Sequence, residues 1–360
     1  MANIDTFKAE IPWDSLPRTF QDALTLVHRL GIQYLWIDSL CILQNNEADW
    51  LHEGSKMAEI YKNSFLTIAA TRATDSTAGL FAMSPGHLSR SYYYDSQEFR
   101  VRKLLPHDLG NRDGLSPLLN RGWVLQERLL SPCIVHFSAH ELWWECFEAT
   151  DCECKGPGKS AFTNLKKADL SYDEWATSSV HCNPHRNEHL DLPDNYSLPV
   201  SSSSFAGSTL RAPKRWRQLV EEYSSKILSY DKDILPAIQG LAKEMHNIMR
   251  CEYLAGLWRD DIIVELLWVK RGDPDRANLS VPSWSWASAG GPIRYIHDVS
   301  SGEWDSRASL QDYRIDRLGE DGFGQVSRGE LEIEGRCVTA SFSQKVLAVS
   351  QMDHSSELWL

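Results

Sequence analysis

The 360-residue chain has 42% hydrophobic and 24% charged residues, the balance of a globular protein with one large core or two. Its net charge of −12 argues against a nucleic-acid groove, which needs clustered Lys and Arg. No apolar run approaches the ~20 residues that cross a bilayer, and the first residues lack a hydrophobic signal core, so a cytoplasmic location without a membrane is expected.

Ser15-Leu-Pro17 predicts a helix start, with Pro where its missing N–H costs nothing. Phe20, Ala23, Leu24, Val27 and Leu30 form its apolar face, and Gly31 supplies the stop. The apolar run Ile32–Ile37 predicts a buried strand that ends at Asp38. A polar turn carrying Ser39, Cys41 and Gln44 follows, then a helix from about Asp49 to Tyr61 and a strand at Phe65–Ala70. This helix–strand–helix–strand order favours a parallel α/β sheet.

A helix over Leu118–Leu130, ended by Pro132, carries Trp123 and Glu127, and two short strands follow at Ile134–Phe137 and Leu142–Cys146. From about 151 to 212 Lys, Asn, His and Pro dominate, which predicts a variable, partly disordered insertion. Order returns with Trp216, Val220, Tyr223 and Ile227 as one helical stripe. Helices are further expected near Ile234–Met245 and over Ile262–Val269, with weak β alternation in 301–360. The expected organisation is an α/β domain over 1–150, the insertion over 151–212, and a mostly helical extension with some β structure packed on the core over 213–360.

Eight cysteines in so long a chain do not make a disulfide scaffold. Cys146, Cys152, Cys154 and Cys182, with His181, His185 and His189, offer zinc donors, but Cys152-Glu-Cys154 has the wrong spacing for a finger or ribbon. Unligated cysteines and no metal are the expectation. No Gly-x-Gly-x-x-Gly follows a strand and no Gly-x-x-x-x-Gly-Lys occurs, so Rossmann and P-loop phosphate cradles are absent. Ser39 and Cys41 lack the Gly-x-Ser-x-Gly elbow of a hydrolase nucleophile, which favours an inert Cys41.

Five blocks resemble the fungal heterokaryon-incompatibility (HET) domain family: Leu16-Pro-Arg-Thr-Phe-Gln-Asp22-Ala, Tyr34-Leu-Trp-Ile-Asp38-Ser-Leu-Cys41-Ile-Leu-Gln44, Asp49-Trp50-Leu-His-Glu53, Met57-Ala-Glu-Ile-Tyr61 and Arg121-Gly-Trp123-Val-Leu-Gln126-Glu127-Arg128. Thinner similarity runs on through Asp233–Ala242, Tyr253–Trp258 and Pro282–Ser288. The family's usual opening strand, with its Ser-Tyr-x-Trp-Gly-like turn, is missing, which puts whatever that strand supplies in doubt.

The resemblance implies recognition of non-self leading to programmed cell death. It also implies a distant relation to Toll/interleukin-1 receptor (TIR) domains, some of which hydrolyse NAD. The implied fold is therefore a flavodoxin-like parallel-sheet core lacking its first strand, with a nucleotide site at the strands' carboxyl ends.

TIR-type hydrolases place a glutamate a few residues after a Trp, and Trp50-Leu-His-Glu53 is similar, one residue shorter. Helical geometry adds that Glu53 lies at the edge of the Trp50/Met57/Ile60 stripe, where a carboxylate is costly unless paired or functional. The expected catalytic pair is Glu53, stabilising an oxocarbenium ion, and Asp38, orienting the ribose. Trp50, Ser39, Cys41, Gln44, Trp123 and Glu127 are expected around the substrate. NAD enters as substrate, with no cofactor. The opposing readings for Glu53 and Glu127 are salt-bridge partners of packed helices. Two other functions stay open: a self-associating signalling module without chemistry, with a protein partner, and an enzyme recruited to small-molecule biosynthesis.

Overall fold

A computed structural model describes residues 4–81, 89–102, 114–153, 205–272, 277–296, 307–318 and 322–335. In order, the first half contains α1 (Ile4–Ala9), α2 (Arg18–Arg29), α3 (Asp38–Cys41), α4 (Glu47–Lys62), β1 (Thr67–Ala69), a hairpin of β2 (Ser89–Tyr94) and β3 (Gln97–Arg102), α5 (Gly122–Leu130), β4 (Cys133–Phe137), β5 (Leu142–Cys146) and β6 (Thr150–Cys152). The second half contains α6 (Phe205–Ser224), α7 (Gln239–Met249), β7 (Tyr253–Leu254), β8 (Leu257–Trp258), α8 (Ile262–Glu265), β9 (Trp268–Lys270), β10 (Ile293–Tyr295), β11 (Ala308–Arg317) and β12 (Val326–Gly335).

The central sheet has the order β1-β4-β5-β6. It is mixed: β1 runs parallel to β4, and β4, β5 and β6 form an antiparallel meander. The expected parallel pairing is present between β1 and β4, and the rest of the sheet is antiparallel. Short β4 and β5 have only four residues between them, enough for a turn but not for the crossover that parallel pairing needs. The predicted strand at Ile32–Ile37 also fails to pair among the described residues. The segment is extended, with Ile37 at φ −133° and ψ 120°, but side chains rather than a ladder hold it. Leu35 packs on the Ala23, Leu80 and Phe137 cluster beside Ile68 and Val135.

Local signals account for most helix ends. Asn46 caps α4, its Oδ1 accepting from the Asp49 amide at 3.1 Å, and Asp49 Oδ2 accepts from the Leu43 amide at 2.7 Å. Gly31, at φ +72°, follows α2. Asp22 of α2 is buried. It pairs with Arg18 at 3.0 Å and accepts the Leu80 amide at 3.0 Å, binding the loop after β1 to the helix.

The Leu118–Leu130 helix divides into a 3-10 turn at Pro117–Asn120 and α5. Arg121 between them is extended (φ −77°, ψ 136°) because it bridges Ile227, whose carbonyl receives the Gly122 amide at 2.8 Å. Ile227 itself is 68% exposed and lies past the end of α6, so the expected stripe stops at Tyr223. The predicted Ile262–Val269 helix stops at Glu265, because Trp268–Lys270 pairs with β10 instead. The tail adds the β11–β12 hairpin. Most of the 151–212 segment lies outside the described residues.

The largest core cluster joins both halves, from Ala58, Leu125 and Leu130 to Trp216, Tyr223, Leu241 and Trp286. Trp216 and Trp286 both donate to the Gly256 carbonyl, at 3.0 and 2.9 Å, so these two buried indoles are paired as well as packed. Between the halves, α4, α5 and α7 meet closely. The Gly240 amide donates to Gln126 Oε1 at 2.6 Å, and Gln239 Nε2 to the Gly54 carbonyl at 2.9 Å. A Cβ on Gly240 would stand 2.5 Å from Ala58 Cβ and 2.8 Å from Gln126 Oε1. Gly240→Ala is therefore expected to lower stability by about 1–3 kcal/mol, read as the urea midpoint. An unchanged midpoint would show that the helices part freely there.

Two buried acids in this fold differ in how they are paired. Glu145 is 1% exposed and takes Arg128 Nε at 2.7 Å and Nη2 at 3.2 Å; His136 Nε2 lies 3.2 Å from the same carboxylate, and His136 Nδ1 is 2.9 Å from Thr71 Oγ1. Glu265, wholly buried, meets Arg217 Nη1 at 3.1 Å, while its Oε2 has no hydrogen-bond partner. Burial raises Glu265 from 4.5 to about 8, outweighing the opposing Arg217 charge. The folded state thus keeps a proton that the unfolded chain releases near 4.5. Stability falls as pH rises from about 4.5 to 8. Glu265→Gln is expected to flatten that slope in denaturation at pH 5 and pH 8; an unaltered slope would assign it elsewhere.

Candidate functional site

Residues spaced along two packed helices build the site. On α5, Trp123 and Glu127 are one turn apart and share a face. On α4, Trp50 and Tyr61 are three turns apart on the side that meets α5. The helices bring the four together in two pairs. Trp50 and Trp123 meet edge to face at 6.0 Å and 88°, and the Tyr61 hydroxyl donates to the Glu127 carboxyl. The ring of Trp36, from the unpaired extended segment, sits edge-on to Tyr61 at 5.7 Å.

Glu127 is raised from 4.5 to about 7. Desolvation is the main cause, and the negative charge of Asp38 adds to it; the Tyr61 hydrogen bond and the Arg121 charge oppose. Tyr61 is pushed well up by burial and then by Glu127 and Asp38, so its phenol stays protonated. A carboxyl balanced between its two forms at neutral pH, beside a second carboxylate, is the arrangement that acid–base chemistry uses.

Asp38 opens α3 on the exposed side, its Oδ1 accepting from the Ser39 amide at 2.7 Å. Ser39 and Cys41 are exposed, Cys41 as a free thiol; the Gln44 amide is turned onto the Ile42 carbonyl at 3.0 Å. Among the described interactions none joins Ser39 or Cys41 to a histidine base. Glu53 is placed elsewhere: its carboxylate meets Lys56 Nζ at 3.0 Å and His52 Nε2 at 3.7 Å on its own helix. No described interaction joins Glu53 to Asp38, and Glu127 shares Asp38's field instead.

Four further residues contribute: Tyr61, Arg121, Lys232 and Asp233. Tyr61 and Arg121 lie inside the quoted blocks, and the i, i+11 spacing of Trp50 and Tyr61 was the available signal. Lys232 lies 5.7 Å over the Trp50 ring, and Trp123 Nε1 donates to Asp233 Oδ2 at 3.4 Å, so a turn of the second half closes on the tryptophan pair. Asp233 Oδ1 is buried without a hydrogen-bond partner, and burial raises its carboxyl.

No group of three or more His, Cys, Asp or Glu side chains placed for a metal ion occurs among the described residues; Cys154, Cys182, His181, His185 and His189 lie outside them. No helix among the described residues is long and apolar enough to cross a membrane. The hydroxyl–imidazole–carboxylate series Thr71–His136–Glu145 has the order of a nucleophilic triad, but all three are buried beyond a substrate's reach.

Residues 2–127 match the sequence model of the family described as Heterokaryon incompatibility protein (HET). Over residues 2–127 the chain is thus similar to a HET domain. The matched region contains Trp36, Asp38, Trp50, Tyr61, Trp123 and Glu127, every member of the cluster except the Lys232–Asp233 turn. No curated protein and no solved structure matches the chain.

Proposed function

We propose that this HET-domain protein acts in heterokaryon incompatibility, turning non-self recognition into cell death, and that its cluster cleaves the N-glycosidic bond of a dinucleotide such as NAD. Glu127, held near neutrality beside Asp38, carries this reading. In the reaction the C1′–N bond breaks, its electron pair leaves with neutral nicotinamide, and an oxocarbenium ion develops on the ribose. The negative charge of Asp38 stabilises that cation. Water adds to C1′ and gives a proton to the ionised form of Glu127, which Tyr61 orients by its hydrogen bond. The Trp50–Trp123 pair offers an aromatic wall for a base or nicotinamide ring. A TIR-like ancestry of the core fits the same chemistry, with the acid supplied by α5 rather than by Glu53.

Nicotinamide release from NAD by the full chain tests the chemistry, and loss of viability on expression in a filamentous host tests the biological role. Death without release would favour a second reading, a self-associating module. One face of the β2–β3 hairpin supports that alternative, since Tyr92, Tyr94, Phe99 and Val101 are each 47% or more exposed.

A further inference from the structure

Outside residues 2–127, a cleft of about 490 Å³ lies between the end of α7, the turn after β8, and Arg317, Gly322 and Phe323. That volume is within the range of small-molecule sites. Its chemistry departs from the chain's net charge of −12: Arg250, Arg259 and Arg317 all face it, against the carboxylates of Glu252 and Asp260. Glu252 is already occupied, taking the Tyr313 hydroxyl and lying 3.8 Å from Arg317 Nη2. Arg317 Nη2 also donates to the Tyr253 carbonyl at 3.3 Å, which fixes its guanidinium. Arg259 stacks over the Tyr313 ring at 5.8 Å. Arg250 ends α7 in the left-handed conformation, φ 54°, and its side chain is exposed.

An aromatic platform stands beside these cations. Phe323 meets His246 at 5.4 Å and Tyr253 at 5.3 Å, the latter tilted by 40°. His246 Nδ1 lies 2.7 Å from the Cys251 carbonyl, so Nδ1 carries the proton and Nε2 is an acceptor in the neutral ring.

Guanidiniums beside a flat apolar surface suit a ligand that is anionic at one end and planar at the other. We propose that this cleft binds a nucleoside phosphate, the phosphate on Arg250 and Arg259 and the base against Phe323. The site is separate from the Glu127 cluster and does not depend on its chemistry.

Calorimetric titration of the full chain with ADP, adenosine and inorganic phosphate tests it. ADP should bind saturably, with adenosine and phosphate each weaker by about tenfold or more. Arg250→Asn, which tolerates the left-handed backbone, combined with Arg259→Gln should weaken ADP by about tenfold or more at an unchanged circular dichroism spectrum. Phe323→Leu should weaken ADP while sparing phosphate, and Glu127→Gln should leave ADP binding intact. ADP binding unaltered in the double variant, or phosphate as tight as ADP, would overturn the proposal.

Discussion

Glu127→Gln is expected to cut nicotinamide release by about 10²–10⁴-fold, the range for loss of a positioned acid–base group. The amide copies the shape and charge of the protonated carboxyl, so folding at pH 6 should be preserved. With the carboxyl at about 7, the ionised form that accepts water's proton grows as pH rises from about 6 to 8, and the rate should rise with it. Tyr61→Phe removes the hydrogen bond that favours the ionised form and should shift this limb to higher pH. Glu53→Ala should leave the rate within about twofold, since that carboxylate belongs to a partly exposed pair with Lys56, of a kind that contributes little. A rate lost in Glu53→Ala and kept in Glu127→Gln would return the chemistry to Glu53.

Glu145→Ala is expected to destabilise the fold most, by about 3–5 kcal/mol, because it leaves the Arg128 guanidinium and His136 buried without their carboxylate. Against a total stability of about 5–15 kcal/mol, that is a large fraction, and the urea midpoint should fall markedly. Replacing both charged partners, Arg128→Met with Glu145→Leu, should recover part of the loss, since no unpaired charge then remains at that site. Urea midpoints for the three proteins decide it. A single variant as stable as the parent would mean that the network contributes little. The effect also bears on the site, because Arg128 adjoins Glu127 and ties α5 to β5.

Much of the site's framework was legible along the chain. The carboxylate that closes the apolar run at Asp38, the helix beginning near Asp49, and the helix that carries Trp123 and Glu127 are local patterns that the structure keeps. Glu53 and Glu127 were less separable. A helical wheel gives both an inward edge, but not which neighbour waits there. Glu53 finds Lys56 one turn away, whereas Glu127 finds Tyr61 from a different helix and Asp38 from a different segment. Ile32–Ile37 failed for a related reason: apolar residues favour an extended chain, but a strand also needs a partner edge.

The sequence by itself determined the HET blocks, the helices that carry their own caps and stripes, and the carboxylate at the end of the extended segment. All of these depend on residues within a few turns of one another. Only the tertiary structure decided that the sheet is mixed, that the turn at Lys232 closes on Trp50 and Trp123, and that Glu127 is buried where the charge of Asp38 is felt while Glu53 pairs with Lys56. Desolvation and charge coupling, which set the character of Glu127, arise between segments distant in the chain, and only the packing of α4 against α5 brings them within reach.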